Sequence, residues 1–237
     1  MYTSRRPCPV MLLPILLALG GCDVGVNADV QIQPGSESGG VAVVNGTIEV
    51  GSRAHVDGDL STVNGPVTVG PEAVVNRVST INGNITLGEA ALAQSITTVN
   101  GEVTLESQAS VAGSVELVQG DVRLESRAQI DGDVESVAGS IRLLDARIGG
   151  DVRTVSADVI LAGESMIAGG LRIENGKSRG AARPRIIVGP GSMIAGTIFL
   201  EEPTEIYVSE SGRIGGVEGA MSGDQVVRFK GKEPELQ

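Results

Sequence analysis

Short runs of alternating apolar and polar residues dominate this chain. They read "TIEV", "PVTV", "NITL", "EVTL", "DVRL", "SIRL" and "DVIL", each ahead of a polar turn such as "GSR" or "ESQ". Alternation with a period of two is the mark of a β-strand with one buried side. After each turn comes a second phrase: "AHVDGDL" at 54–60, "ASVAGSV" at 109–115, "AQIDGDV" at 128–134, "ARIGGDV" at 146–152, "SMIAGGL" at 165–171 and "SMIAGTI" at 192–198. The apolar and glycine positions of that phrase persist while its aspartates come and go. A catalytic or metal site would keep its acids, so the phrase is architectural.

A third phrase fixes the period. "VNG" stands at 44–46, 63–65 and 99–101, "ING" at 81–83, "VQG" at 118–120, "VAG" at 137–139 and "VSA" at 155–157. The steps are 18 or 19 residues, so each repeat holds about three short strands. That period is too short for most helical repeats and suits one coil of a solenoid stacked on the next. The sequence therefore predicts an all-β protein: a single-stranded parallel β-helix (β-solenoid) of about nine coils of 18–19 residues over 44–216.

Three columns are expected to line the bore. One runs from Val44 through Val63, Ile81, Val99, Val118 and Val137 to Val155. Another runs from Val50 through Val69, Leu87, Leu105, Leu124 and Leu143 to Leu161, and a third of small residues from Ala54 to Ala146. An outward column should run Glu49, Thr68, Thr86, Thr104, Arg123, Arg142, Ile160, Ile187, Tyr207. Asn45, Asn64, Asn82 and Asn100, each before a Gly, should turn a corner and stack their amides. Residues 174–185 interrupt the repeat as a loop insert. Lys177, Arg179, Arg183 and Arg185 make it the one strongly basic stretch, a candidate surface for an anionic partner such as acidic glycan or lipid headgroups; a plain solvated insertion is the alternative. Residues 217–237 no longer repeat and are expected to cap the open strand edges.

Composition agrees with a narrow bore. Aromatic residues are 2% of the 237, with no Trp, while Gly numbers 34. The formal charge of −11 leaves no basic stripe for nucleic acid.

The chain opens MYTSRRPCPVMLLPILLALGGC. Arg5 and Arg6 precede an apolar run from Val10 to Gly20 that is too short to span a bilayer, which takes about 20 residues. Residues 1–21 are thus expected to be a signal peptide, and "LGGC" resembles a bacterial lipobox, which implies acylation of Cys22. An ordinary secretory leader with an incidental Cys is the alternative. Loss of Arg5 and Arg6 would take the charge from −11 to −13. Cys8 and Cys22 are the two cysteines, so cleavage would leave no disulfide and no thiol nucleophile. Residues 22–43 read as the lipidated N-terminus and a flexible linker, with a span of roughly 25 Å.

The phrase [Ala/Ser]–x–[Ile/Val]–x–Gly–[Asp/Ser]–[Val/Leu/Ile], clearest in "AQIDGDV", "ARIGGDV" and "VQGDV", resembles the repeat of bactofilins, the polymer-forming bacterial cytoskeletal proteins. The resemblance covers about residues 44–216 and implies a right-handed triangular β-helix that assembles end to end without a nucleotide. Bactofilins resemble cytosolic proteins, and this chain differs in carrying an export signal and a basic insert.

Chemistry is sparse. The single His, His55, lies beside Asp57, but no oxyanion partner or second acid accompanies it. Asp59, Asp133 and Asp151 share one repeat position, with Asp57 and Asp131 two residues earlier; the 131–151 group is a candidate for weak cation binding, and a solvated acidic edge is the alternative. No phosphate loop, zinc spacing or nucleophile elbow occurs. The expectation is a non-enzymatic lipoprotein of the cell envelope, on the periplasmic side and anchored to the inner or outer membrane, with no cofactor and no nucleic-acid partner. It would act as a scaffold or self-assembly module, forming a homo-oligomer or polymer through its solenoid ends. The alternative is an envelope polysaccharide-binding or polysaccharide-acting β-helix, for which Tyr207 is the aromatic candidate.

Overall fold

The computed structural model describes residues 23–176, 183–220 and 226–231. Among them every regular element is a strand, and every strand pairing is parallel. Val41 pairs with Leu60, Leu60 with Val78, Val78 with Ile96 and Ile96 with Val115, so each coil stacks on the next at a step of 18 or 19 residues. The result is a β-solenoid of about 10 coils. At roughly 4.8 Å per coil the rod is about 45 Å long.

Each coil has three strands. A first face is built from Val41–Asn45, Leu60–Asn64 and their successors, a second from Ile48–Val50, Val67–Val69 and theirs, and a third from His55–Val56 and its equivalents. On the second face the aliphatic ladder holds its expected register. Val69, Leu87, Leu105, Leu124, Leu143 and Leu161 are buried, and Glu49, Arg123, Arg142 and Tyr207 between such rows point out. The small column at Ala54, Ala73, Ala91, Ala109, Ala128 and Ala146 is also buried, and Ser165 and Ser192 continue it. Both serines direct their hydroxyls to backbone carbonyls, of Ala162 and Gly163, so the column stays closed.

The first face differs from expectation. Val44, Val63, Ile81, Val99, Val118 and Val137 are not in the bore; they are 36–45% exposed. Their predecessors Val43, Thr62, Thr80, Thr98, Leu117 and Ser136 are buried instead. The reason lies at the corner. Counting alternation back from Ile48 and Val50 puts Val44 inside, but the chain sends two successive residues outward, Val44 and then Asn45, before Gly46 turns it. Parity is lost there, and a one-residue shift moves a column to the other side. Gly120 shows why this corner needs glycine. Its φ is 142°, and a Cβ would overlap the carbonyl oxygen of Gly101 in the coil below.

The solenoid also starts earlier than the linker reading of residues 22–43 allowed. Asp23–Gly25, Val30–Ile32 and Glu37–Ser38 are strands that pair with Val41–Val43, Ile48–Val50 and His55–Val56. Pro34-Gly35 occupies the polar turn, and Ser36 takes the place of the small column. Ser, Glu and Gly stand where other coils have aliphatics, which gave this coil the look of a linker. At the other end Val217 stacks on Ile198, and Val227–Phe229 pairs with Tyr207–Ser209. Phe229 is buried, so the segment past 216 does cover part of the core end.

Candidate functional site

The outer surface of the first face carries the features that set this rod apart. At its corner the amides of Asn45, Asn64, Asn82 and Asn100 form a ladder. Each Nδ2 donates to the Oδ1 of the preceding coil's Asn at 2.7–2.9 Å, ending on Asn27. Beside that ladder runs the exposed aliphatic ridge from Val44 to Val137. Two residues earlier along each strand lies a second outward column. It begins Ala42, Ser61, Ser79, Thr97 and continues Glu116, Glu135, Arg153, Arg172. Small uncharged side chains thus flank the ridge over the first four of those coils and charged ones flank it over the rest. The charged half shows a shallow groove walled by Val118, Val137 and Val155, with Glu116, Glu135, Arg153 and Glu174 along it.

Arg153 organises that half. Its guanidinium bonds Glu135 at 2.7 Å, Asp133 at 3.1 Å and Asp151 at 3.3 Å. The hydrogen bond to Glu135, with the charge of Asp133 behind it, holds the guanidinium pKa above its ordinary value. Further along, Arg172 sits 4.3 Å over the Phe199 ring and pairs with Glu201 at 3.3 Å.

Two of the recurrent aspartates, Asp133 and Asp151, are backbone staples, whereas Asp59 meets the side chains of Asn76 and Arg77. Asp133 Oδ1 accepts the Asp151 N–H, and Asp151 Oδ1 accepts the Gly170 N–H, both at 2.8 Å. Each carboxylate thereby satisfies a backbone donor of the following coil at a bend. In "AQIDGDV" itself, Ile130 and Val134 are fully buried and the exposed Asp131 accepts from Gln129. His55 Nε2 lies 2.7 Å from Asp57, and both side chains are at least half exposed. Among the described residues no group of three or more His, Cys, Asp and Glu is placed to hold a metal ion.

Of the four basic residues of the insert, the structure describes Arg183 and Arg185. Cys22, Lys177 and Arg179 lie outside the described residues. Arg183 is exposed. Arg185 is no loop residue: it sits in the strand Arg185–Val188 and its guanidinium is bound to Asp158 at 2.6 Å. That hydrogen bond, with the charge of Asp158, raises the Arg185 pKa. Arg185 therefore ties the chain back into the wall after the insert instead of offering a free cation. The insert lengthens one coil: Leu171 pairs with Ile198 and Val159 with Ile186, steps of 27 where the other coils step by 18 to 20. Tyr207, the aromatic candidate for sugar stacking, bonds Glu205 at 3.4 Å; burial first, and then the Glu205 charge, raise its hydroxyl pKa.

No protein-family model, no curated protein and no solved structure matches this chain. No helix among the described residues is long and apolar enough to cross a membrane. The ridge and its uncharged flank were hidden in the sequence by the parity break, but "VNG" or "ING" at the first four of these corners was a visible signal for them.

Proposed function

We propose that this chain is a non-enzymatic lipoprotein of the cell envelope, acylated at Cys22, whose solenoid is a scaffold that assembles through its ends. The observation that carries the reading is the first coil. Its strands Asp23–Gly25, Val30–Ile32 and Glu37–Ser38 each pair on one side only among the described residues. An open parallel edge is a template for another chain. Val30 N–H and Ile32 C=O bond to the next coil, which leaves the Gln31 backbone groups directed to the open edge. The likeness of the repeat phrase to bactofilins, which polymerise end to end, supports the same reading.

Anchoring is tested by fractionation. Wild type should sediment with membranes and show a diacyl or triacyl mass increment at Cys22. Cys22→Ser should move it to the soluble fraction with its fold intact by circular dichroism. A wild-type chain that is soluble and carries no acyl mass would overturn the anchored reading.

A further inference from the structure

The ridge and its small-residue flank form a self-complementary surface. In this strongly acidic chain, the first-face surface of coils 41–101 carries no charge in either outward column. The ridge residues Val44, Val63, Ile81 and Val99 are each at least 36% exposed. Their neighbours Ala42, Ser61, Ser79 and Thr97 are short and half-buried. An isolated exposed aliphatic needs no explanation, but an unbroken row of them marks a contact surface.

We propose that this face binds a second copy of the chain, side by side and parallel, about a two-fold axis that runs along the solenoid. The geometry selects this arrangement. Ridge and shallow column are two residues apart on each strand, roughly 6.6 Å. A two-fold parallel to the rod and centred between them lays the ridge of one copy over the shallow column of the other. Val44 then faces Ala42, Val63 faces Ser61, Ile81 faces Ser79 and Val99 faces Thr97, each in both directions. A two-fold along the strands would instead oppose ridge to ridge and leave the shallow columns empty between them. From Glu116 onward the shallow column is charged and each of its residues lies near its own symmetry mate, so the attraction comes from the first four of these coils.

The face measures about 20 Å by 15 Å, on the order of 300–400 Å² per copy, which is below a standard stable interface. The association is accordingly weak in solution, with a Kd below about 1 mM. The parallel arrangement puts both N-termini at the same end. If the proposed acylation of Cys22 holds, both copies sit in one membrane, where effective concentration strengthens the pairing. The dimer itself does not depend on that anchor.

The test uses spin labels on the chain lacking residues 1–21 and carrying Cys22→Ser, so that an introduced cysteine is the sole thiol. Thr68→Cys and Arg142→Cys place a label in the same outward column, four coils apart and at unequal distances from the centre of the four-coil face. In the parallel pair the inter-copy distance at the two positions is the same within a few ångströms. In an antiparallel pair it changes by about 10 Å for each coil away from the axis. Ile81→Asp should weaken the pairing at least tenfold while leaving the melting temperature unchanged, and Gln31→Pro should leave both distances as they are. Distances that differ by 10 Å or more would overturn the parallel arrangement. No dipolar coupling at about 1 mM chain, or coupling that survives Ile81→Asp, would overturn the surface. So would coupling lost with Gln31→Pro, since the contact would then run through the ends. Binding of the Ile81-bearing chain, but not Ile81→Asp, to phosphatidylcholine vesicles without any coupling would assign the ridge to lipid instead.

Discussion

Thr98 is buried on the first face, and its hydroxyl finds no hydrogen-bond partner. Its equivalents Thr62 and Thr80 reach carbonyls at 3.5 and 3.4 Å, and the next coil has Leu117 there. A buried hydroxyl without a partner costs about 1–3 kcal/mol of desolvation. Thr98→Val keeps the shape and should raise stability by about 1 kcal/mol, read by urea unfolding; a loss of that size would mean the hydroxyl is bonded in solution. On the second face, Leu124 is fully buried and Arg123 beside it faces out toward Glu102. Leu124→Asp should cost several kcal/mol and Arg123→Asp about 0.5–1 kcal/mol. Equal damage would place the register one residue off. The Leu124 ladder was legible because strict alternation runs unbroken from Ile141 to Leu143 and through its equivalents. The Val44 column was misread because alternation cannot be carried across a corner where two successive residues face out.

At the scale of the element, repeats were readable wherever aliphatics marked them. The first coil was not, because Ser36, Glu37 and Ser38 form a strand by stacking on Ala54, His55 and Val56 rather than by their own pattern. Propensity is weak evidence for a strand whose backbone bonds are supplied by a neighbour. The insert was legible as an interruption, but Arg185, counted with it in the sequence, belongs to the wall through Asp158. Deleting residues 177–182 should leave the far-UV spectrum unchanged and the Tm within about 2 °C, since loop length costs little. If Lys177 and Arg179 serve an anionic partner, the deletion should also weaken binding to acidic polysaccharide, with a loss that shrinks as salt rises. Unfolding on deletion would make the segment part of the wall. Arg185→Ala, by contrast, should destabilise the fold by about 1 kcal/mol or less, the pair being partly exposed.

For the whole molecule, a coil that begins at Asp23 alters the picture of the anchor. An acylated Cys22 would be followed at once by folded protein, so the rod would stand directly on the headgroups with no flexible stand-off. Among the described residues the strands of the first coil pair on one side only, and the proposed end-to-end assembly rests on that edge. Phe229, packed at the opposite end, means that the two ends are not equivalent surfaces. Fold class and period were plain from the sequence because stacking repeats one solution many times; the exposed ridge was not, because outer faces vary from coil to coil.

Electron microscopy of the purified acyl-free chain at rising concentration tests the central claim most directly. The scaffold account predicts unbranched filaments built from end-to-end rods about 45 Å long, lost in Gln31→Pro, which removes one N–H from the open edge and spares the bonds to the second coil. Single dispersed rods at every concentration, or filaments indifferent to Gln31→Pro, would contradict it.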